Sequence, residues 1–358
     1  MEFVWLLISK MKKLSYLLIF FLSSCSLQEM QENSLPVVDR QEVKTEIIAE
    51  LTPLGIREPG GLLKSGPECI ISDRMNTNNI YCVDLQARQS EGLFPRVRTR
   101  SGKATLLNSL ASDGRGGWTA LNFVTGELKR GGIAKTRAEE SAQVMLPEGQ
   151  KHLWAVQAGE YILSTGLYTE GRYMLYSPTE KQTRYFIEYP EHPEYSDLKE
   201  YTKSILFASN VLKVRPDGGA FICADMYSGV MDVCRIDEGE ITLVKRLVYH
   251  YPHVKIREKK EWPSVVYSRD NRFGFTDVCV TENKIYALYS GQTYRMDSKN
   301  FQHCRTLIEI GWDGNVCSTY PVDTDLTQIA YDEQEKVLYG IGWCPKAALV
   351  RLNVLGEY

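Results

Sequence analysis

Three arginines alternate in the stretch RVRTRSGK: Arg96, Arg98 and Arg100. On an extended strand, alternation puts all three guanidinium groups on one face. Planar guanidinium forks suit sulfate, phosphate or carboxylate, so the stretch is a candidate site for an anionic glycan or a lipid headgroup. The plainer reading is a charged edge strand that deters aggregation. The aromatic residues Trp262, Phe273, Phe275, Tyr294 and Trp343 form a second candidate set. Gathered at a funnel mouth they would stack on sugar rings; buried, they would pack between strands. Neither set names a reaction. Both name a binding surface.

Signatures of catalysis are missing from the sequence. It has no G-x-S-x-G elbow and no H-E-x-x-H zinc helix. SGKAT (Ser101–Thr105) lacks the upstream glycine and the following hydroxyl of a phosphate-binding loop. SDGRGGW (Ser112–Trp118) approximates the S-x-D-x-G-x-T-W turn of sialidase propellers. Its Asp and Trp each fall one residue early and the Thr is missing, so it reads as a Gly-rich turn between strands. His250 and His253 in YHYPHV offer two legs of a metal site without a third, and an exposed loop is the better reading. Asp323 and Asp325 in VDTDLT suit either Ca²⁺ or a solvated turn, and the turn is preferred. No catalytic residue, metal or cofactor is therefore assigned. The net charge of −3 is too slight to make nucleic acid the main partner.

Nine cysteines are present. From Met11 the chain reads MKKLSYLLIFFLSSC: two lysines, a short apolar run, then small residues before Cys25. That is an export signal, too short for a stable membrane span. Leu22-Ser23-Ser24-Cys25 resembles the bacterial lipobox, in which the cysteine is diacylated and becomes the new N-terminus. The resemblance implies a signal peptide over 1–24, a lipidated tether over 25–44, a folded domain over 45–358, and a membrane partner reached through acyl chains. Met11 is an alternative start. Among the other cysteines, Cys223 and Cys234 lie symmetrically about Ser228-Gly229, and Cys69 and Cys82 about Met75-Asn76. Either pair is a candidate disulfide in an exported protein. The alternative is cysteine as a small apolar residue in buried strands, which poor cross-strand disulfide geometry favours.

The elements that must position these residues are strands. Hydrophobic residues make up 43% of the 358, enough for a large core, and long stretches of helical periodicity are scarce. One pattern recurs: an apolar arm, a polar turn, then an aliphatic residue followed by tyrosine. Clear copies are ECIISDRMNTNNIYCVDL (Glu68–Leu85), TDVCVTENKIYALYSG (Thr276–Gly291) and TQIAYDEQEKVLYGIGW (Thr327–Trp343). Weaker copies begin at Leu110, His152 and Asn210. The six turns lie roughly 51 residues apart on average, a period that with several short strands per unit points to a β-propeller. The fold expected is all-β: a six-bladed propeller with four-stranded antiparallel blades. The last unit lacks one strand, and EIIAEL (Glu46–Leu51) is expected to supply it and close the ring. The acidic turn at Asp332–Glu335 is expected to face water at a blade tip, away from any chemistry. Two long connections, 188–204 and 249–271, are expected to rim one face.

Taken together, Cys25, FGFTDVCVTENKIYALYSG (Phe273–Gly291) and IAYDEQEKVLYGI (Ile329–Ile341) resemble the TolB-like six-bladed propeller lipoproteins of Bacteroides-type bacteria. The resemblance implies fold and an outer-membrane location, and transfers no catalytic residue. The function expected is a lipid-anchored, non-catalytic propeller that binds an envelope protein or a glycan at its loop face. The alternative is a propeller hydrolase of lactonase or glycosidase type, with acids converging on the axis.

Overall fold

The computed structural model describes residues 33–34, 37, 39–74, 79–92, 107–113, 117–132, 143–195, 197–257 and 263–353. Strand β1 (Lys44–Glu50) precedes a short 3₁₀ turn at Thr52–Leu54. The first blade is β2 (Pro59–Ser65), β3 (Glu68–Asp73), β4 (Asn79–Asp84) and β5 (Gln89–Gly92). The second is β6 (Leu107–Ser112), β7 (Gly117–Asn122), β8 (Glu127–Gly132) and β9 (Gln143–Met145). The third is β10 (His152–Ala158), β11 (Tyr161–Gly166), β12 (Tyr173–Ser177) and β13 (Gln182–Phe186). Helix α1 (Glu200–Leu206) leads into the fourth: β14 (Asn210–Val214), β15 (Ala220–Asp225), β16 (Val230–Asp237) and β17 (Glu240–Val248).

A separate hairpin, β18 (Val254–Arg257) and β19 (Ser264–Tyr267), comes before the fifth blade. That blade is β20 (Phe275–Val280), β21 (Lys284–Tyr289), β22 (Cys304–Gly311) and the first part of β23 (Val316–Asp332). β23 continues as the inner strand of the sixth blade, beside β24 (Val337–Trp343) and β25 (Ala347–Asn353). β1 completes the sixth blade by pairing antiparallel with β25, Ile47 opposite Val350. The first strand of the fold is thus the outer strand of its last blade, as the sequence required. Asp323 reinforces this closure by accepting from both the backbone N–H (3.1 Å) and the hydroxyl (2.8 Å) of Thr45.

The inner strands β2, β6, β10, β14, β20 and the end of β23 touch in cyclic order around an axis. Each blade boundary has its own apolar core. Ile70 and Trp118 lie in the core between the first two blades, and Leu128 and Ile162 in the next. Phe221 and Leu163, Val278 and Ile222, and Ile329 and Leu307 occupy the following three; Ile71 and Leu349 seal the sixth blade against the first. Successive residues of a strand point to opposite faces, and both faces of a propeller blade are covered. Neighbours such as Ile70 and Ile71 therefore enter different cores, which is why these strands read as continuous apolar runs.

Register decides the cysteine question. Cys69 pairs with Val83, and Cys82 with Ile70, so the two sulfurs lie on opposite faces of the first blade. The hairpin centre is displaced half a residue from Met75-Asn76, and the pair register by one, which reverses a side chain's face. Cys223 opposes Asp232 and Cys234 opposes Phe221, diagonal neighbours in one core. All four are buried free thiols, so the candidate bridges are replaced by cysteine as core filler.

One repeat is out of phase. The Glu68–Leu85 copy is the second and third strands of its blade, whereas the other five are first and second. The true inner hairpin there turns at Gly66-Pro67, where Gly66 adopts φ 54.

Candidate functional site

Two cavities lie on the axis among the described residues. One lies where the inner strands end, has a volume of about 190 Å³, and takes lining residues from all six blades. Its charged lining residues are Lys64, Lys213, Arg215, Asp113 and Glu333. The cations already face carboxylates. Lys64 Nζ lies 2.6 Å from Asp332, both almost fully buried, and sits over the Tyr339 ring. Arg215 holds Asp217 at 2.7 Å and covers Trp312. Lys213 stands 3.9 Å from Asp277, whose other oxygen accepts from Ile329 N–H at 2.9 Å. Burial holds the Asp277 carboxyl above the ordinary range, against the pull of Lys213. The acidic turn of the last repeat is not a remote tip: Glu333 lines this chamber, and burial with Glu282 nearby raises its pKa. The reason is topological. A hairpin joining the first and second strands of a blade ends at the axis, not at the rim.

The second cavity, about 300 Å³, opens where the inner strands begin. Pro59 at the start of β2, Thr276 at the start of β20 and Gln328 in β23 form its base. The end of β24 supplies Trp343, and the loop between β21 and β22 supplies Lys299, Phe301, Gln302 and His303. His303 stacks on Trp343 with ring centroids 5.3 Å apart and planes at 21°. Burial lowers the His303 pKa although Asp325 opposes the shift. Arg74 reaches the mouth across Gly60: a Cβ at that glycine would fall 2.7 Å from Arg74 Cγ and Nε.

Aromatic rings continue outward from Phe301. It packs on Phe273 (4.2 Å) and Tyr294 (5.7 Å), and Phe273 on Tyr227 (5.1 Å). Tyr227 stacks on Tyr267 at 4.4 Å, and the Arg269 guanidinium lies over Tyr294. Tyr267 belongs to β19, so the row runs from the mouth to the inserted hairpin. Both long connections meet there: Tyr267 donates to Leu206 C=O of α1, and Tyr195 to Val254 C=O of β18.

Of the sequence candidates, Phe273, Tyr294 and Trp343 come together at or beside this mouth, Tyr294 being exposed and Phe273 buried. Phe275 does not; it is wholly buried between the fourth and fifth blades. Cys25, Arg96, Arg98, Arg100 and Trp262 lie outside the described residues. Burial drops the His250 pKa to about 4, and among the described residues no three His, Cys, Asp or Glu side chains gather to hold a metal. Asp323 serves ring closure and Asp325 pairs with Arg305. Sequence reasoning missed Arg74, Lys299, Phe301, Gln302 and Gln328. They come from three blades, and no spacing in one dimension brings them together.

A third polar region lies between the third and fourth blades. Arg172, 1% exposed, reaches Asp225 at 2.8 Å and Asp232 at 3.0 Å. Arg246 Nε meets Asp232 at 2.7 Å and Tyr173 donates to it at 2.7 Å. Burial, with Asp232 adjacent, pushes Asp225 up to about 7 despite Arg172, while Arg172 and Arg246 together hold Asp232 below its usual range in spite of burial.

Six blades, each four strands deep and closed by the N-terminal strand, define the class as a six-bladed propeller. The TolB-like 6-blade propeller-like family model matches residues 144–334, more than half the chain. The chain belongs to that family. No curated protein matches the sequence. Among solved structures, an auxiliary nutrient binding protein from Bacteroides thetaiotaomicron is similar at 8% identity and TM-score 0.48, covering 83% of this chain and 69% of that one. A virginiamycin B lyase from Staphylococcus aureus is similar at 12% identity and TM-score 0.47, covering 88% and 100%. Identities this low speak to backbone shape alone.

Proposed function

We propose that this protein is a non-catalytic binding propeller of the bacterial cell envelope, tethered by acyl chains on Cys25, and that it takes an oligosaccharide at the strand-start mouth. The observation that carries the reading is the composition of that mouth. Trp343 and Phe301 supply flat apolar surface, while Gln302, Gln328, Asn300 and Thr276 supply neutral donors and acceptors around it. Sugar rings need this combination: an apolar face to stack and hydroxyls to satisfy. Tyr294, exposed and packed on Phe301, extends the surface past a single sugar.

The rival hydrolase reading asks for acids converging on the axis. Among the described residues the strand-end chamber is lined by two carboxylates, Asp113 and Glu333, and the mouth by Glu58 with His303, whose ring is stacked on Trp343.

The test is calorimetric titration against a panel of bacterial and plant-cell-wall oligosaccharides, with chromatography of each mixture for cleavage products. Saturable binding is expected, weakened at least ten-fold by Trp343→Ala, a loss of about 1.4 kcal/mol or more, with no product formed. Cleavage would overturn the non-catalytic reading, and binding indifferent to Trp343→Ala would overturn the site. Cys25→Ala is expected to release a folded protein from membranes; retention in the membrane fraction would refute the anchor.

A further inference from the structure

The mouth also carries charge, two cations against one lining carboxylate, Glu58, among the described residues. Arg74 and Lys299 both line the cavity, and among the described residues neither side chain has an ion-pair or hydrogen-bond partner, although the Arg74 charge is felt by the buried Asp277 carboxyl. Both are exposed. Every other cation noted along the axis is engaged: Lys64 with Asp332, Arg215 with Asp217, Lys213 facing Asp277. The one carboxylate lining the mouth, Glu58, makes no ion pair with either cation. His303 adds no competing negative charge and is turned toward Trp343.

Arg74 is also placed by the fold. Its backbone N–H donates to Glu58 C=O at 2.7 Å, which fixes the residue just past the end of β3. Its side chain then folds back over Gly60, a position where any side chain would collide with it. The absence of a Cβ there opens the route from the blade edge to the axis.

We propose that the mouth selects acidic oligosaccharides, with Arg74 and Lys299 pairing with carboxylate or sulfate groups of a sugar stacked near Trp343 and Phe301. This inference rests on the glycan reading above and adds the class of glycan. A guanidinium takes a planar carboxylate through two parallel N–H bonds, whereas an ammonium acts as a point charge. The pair therefore offers one oriented and one adaptable contact. Charge-assisted bonds of this kind are stronger than the neutral bonds the glutamine amides provide.

The experiment uses the full mature chain and matched probes: uronic-acid oligosaccharides against their methyl esters, and sulfated oligosaccharides against desulfated ones. The acidic member of at least one pair is expected to bind ~10-fold or more tightly than its neutral partner, with affinity falling as salt rises. Arg74→Gln with Lys299→Gln is expected to abolish that preference and leave the thermal unfolding midpoint in place. Equal binding of acidic and neutral members, or a preference that survives the double substitution, overturns the acidic selection and leaves the glycan reading standing. Binding of no member, acidic or neutral, overturns both.

Discussion

Two regions of this propeller use the same residue types to opposite ends. Between the third and fourth blades, Arg172 and Arg246 are enclosed with Asp225, Asp232 and Tyr173. At the strand-start mouth, Arg74 and Lys299 are exposed and make no ion pair among the described residues. The buried set pairs its charges within the protein. The mouth leaves its cations unpaired and open to a ligand. The difference is burial: an isolated charge is very costly inside a protein and costs little at the surface.

The comparison breaks most visibly if the buried side is cut. Arg172→Met leaves Asp225 without its partner, and should cost about 3–5 kcal/mol in urea unfolding. A loss under about 1 kcal/mol would mean the cluster is not the sealed unit described.

A pH series sharpens the same point. The folded Asp225 pKa is raised to about 7, so the native state holds a proton there that the unfolded chain has given up. Its contribution to stability is full below the ordinary Asp range and is lost as pH rises toward 7. Asp232, held low, works the other way and loses its contribution as acid is added. Asp225→Asn should therefore flatten the decline between about pH 4 and 7, measured as unfolding free energy against pH. An unchanged slope would contradict the assignment.

A smaller effect is expected at ring closure. Asp323→Ala removes the acceptor of two Thr45 bonds and should cost about 1–2 kcal/mol, with faster amide exchange in β1 than elsewhere. The smallest effect belongs to the mouth: Arg74→Gln should change stability by no more than about 0.5 kcal/mol. A cost like that of Arg172→Met would show that Arg74 is structural.

How much of this was legible in the sequence follows from how propellers are built. Repeats such as ENKIYALYSG and EQEKVLYGI are local hairpins, so the six-bladed ring and the use of Glu46–Leu51 to close it could be read from them. Phase was harder. Glu68–Leu85 looks like its relatives, yet it sits one strand further out, because any antiparallel hairpin in a blade repeats the same grammar. The turn Asp332–Glu335 was misplaced for a related reason: a polar turn signals an exit from a sheet but not which end of the axis it meets. Phe273, Tyr294 and Trp343 were found as residue types. Arg74 and Gly60 were not, since their meeting depends on one side chain crossing a neighbouring strand.

The central claim is tested most directly by a crystal structure of the mature chain soaked with the tightest-binding oligosaccharide of the panel. The account predicts a sugar ring against Trp343 and Phe301, with its acidic group between Arg74 and Lys299. A ligand lodged instead in the strand-end chamber beside Lys213 and Glu333 would contradict it.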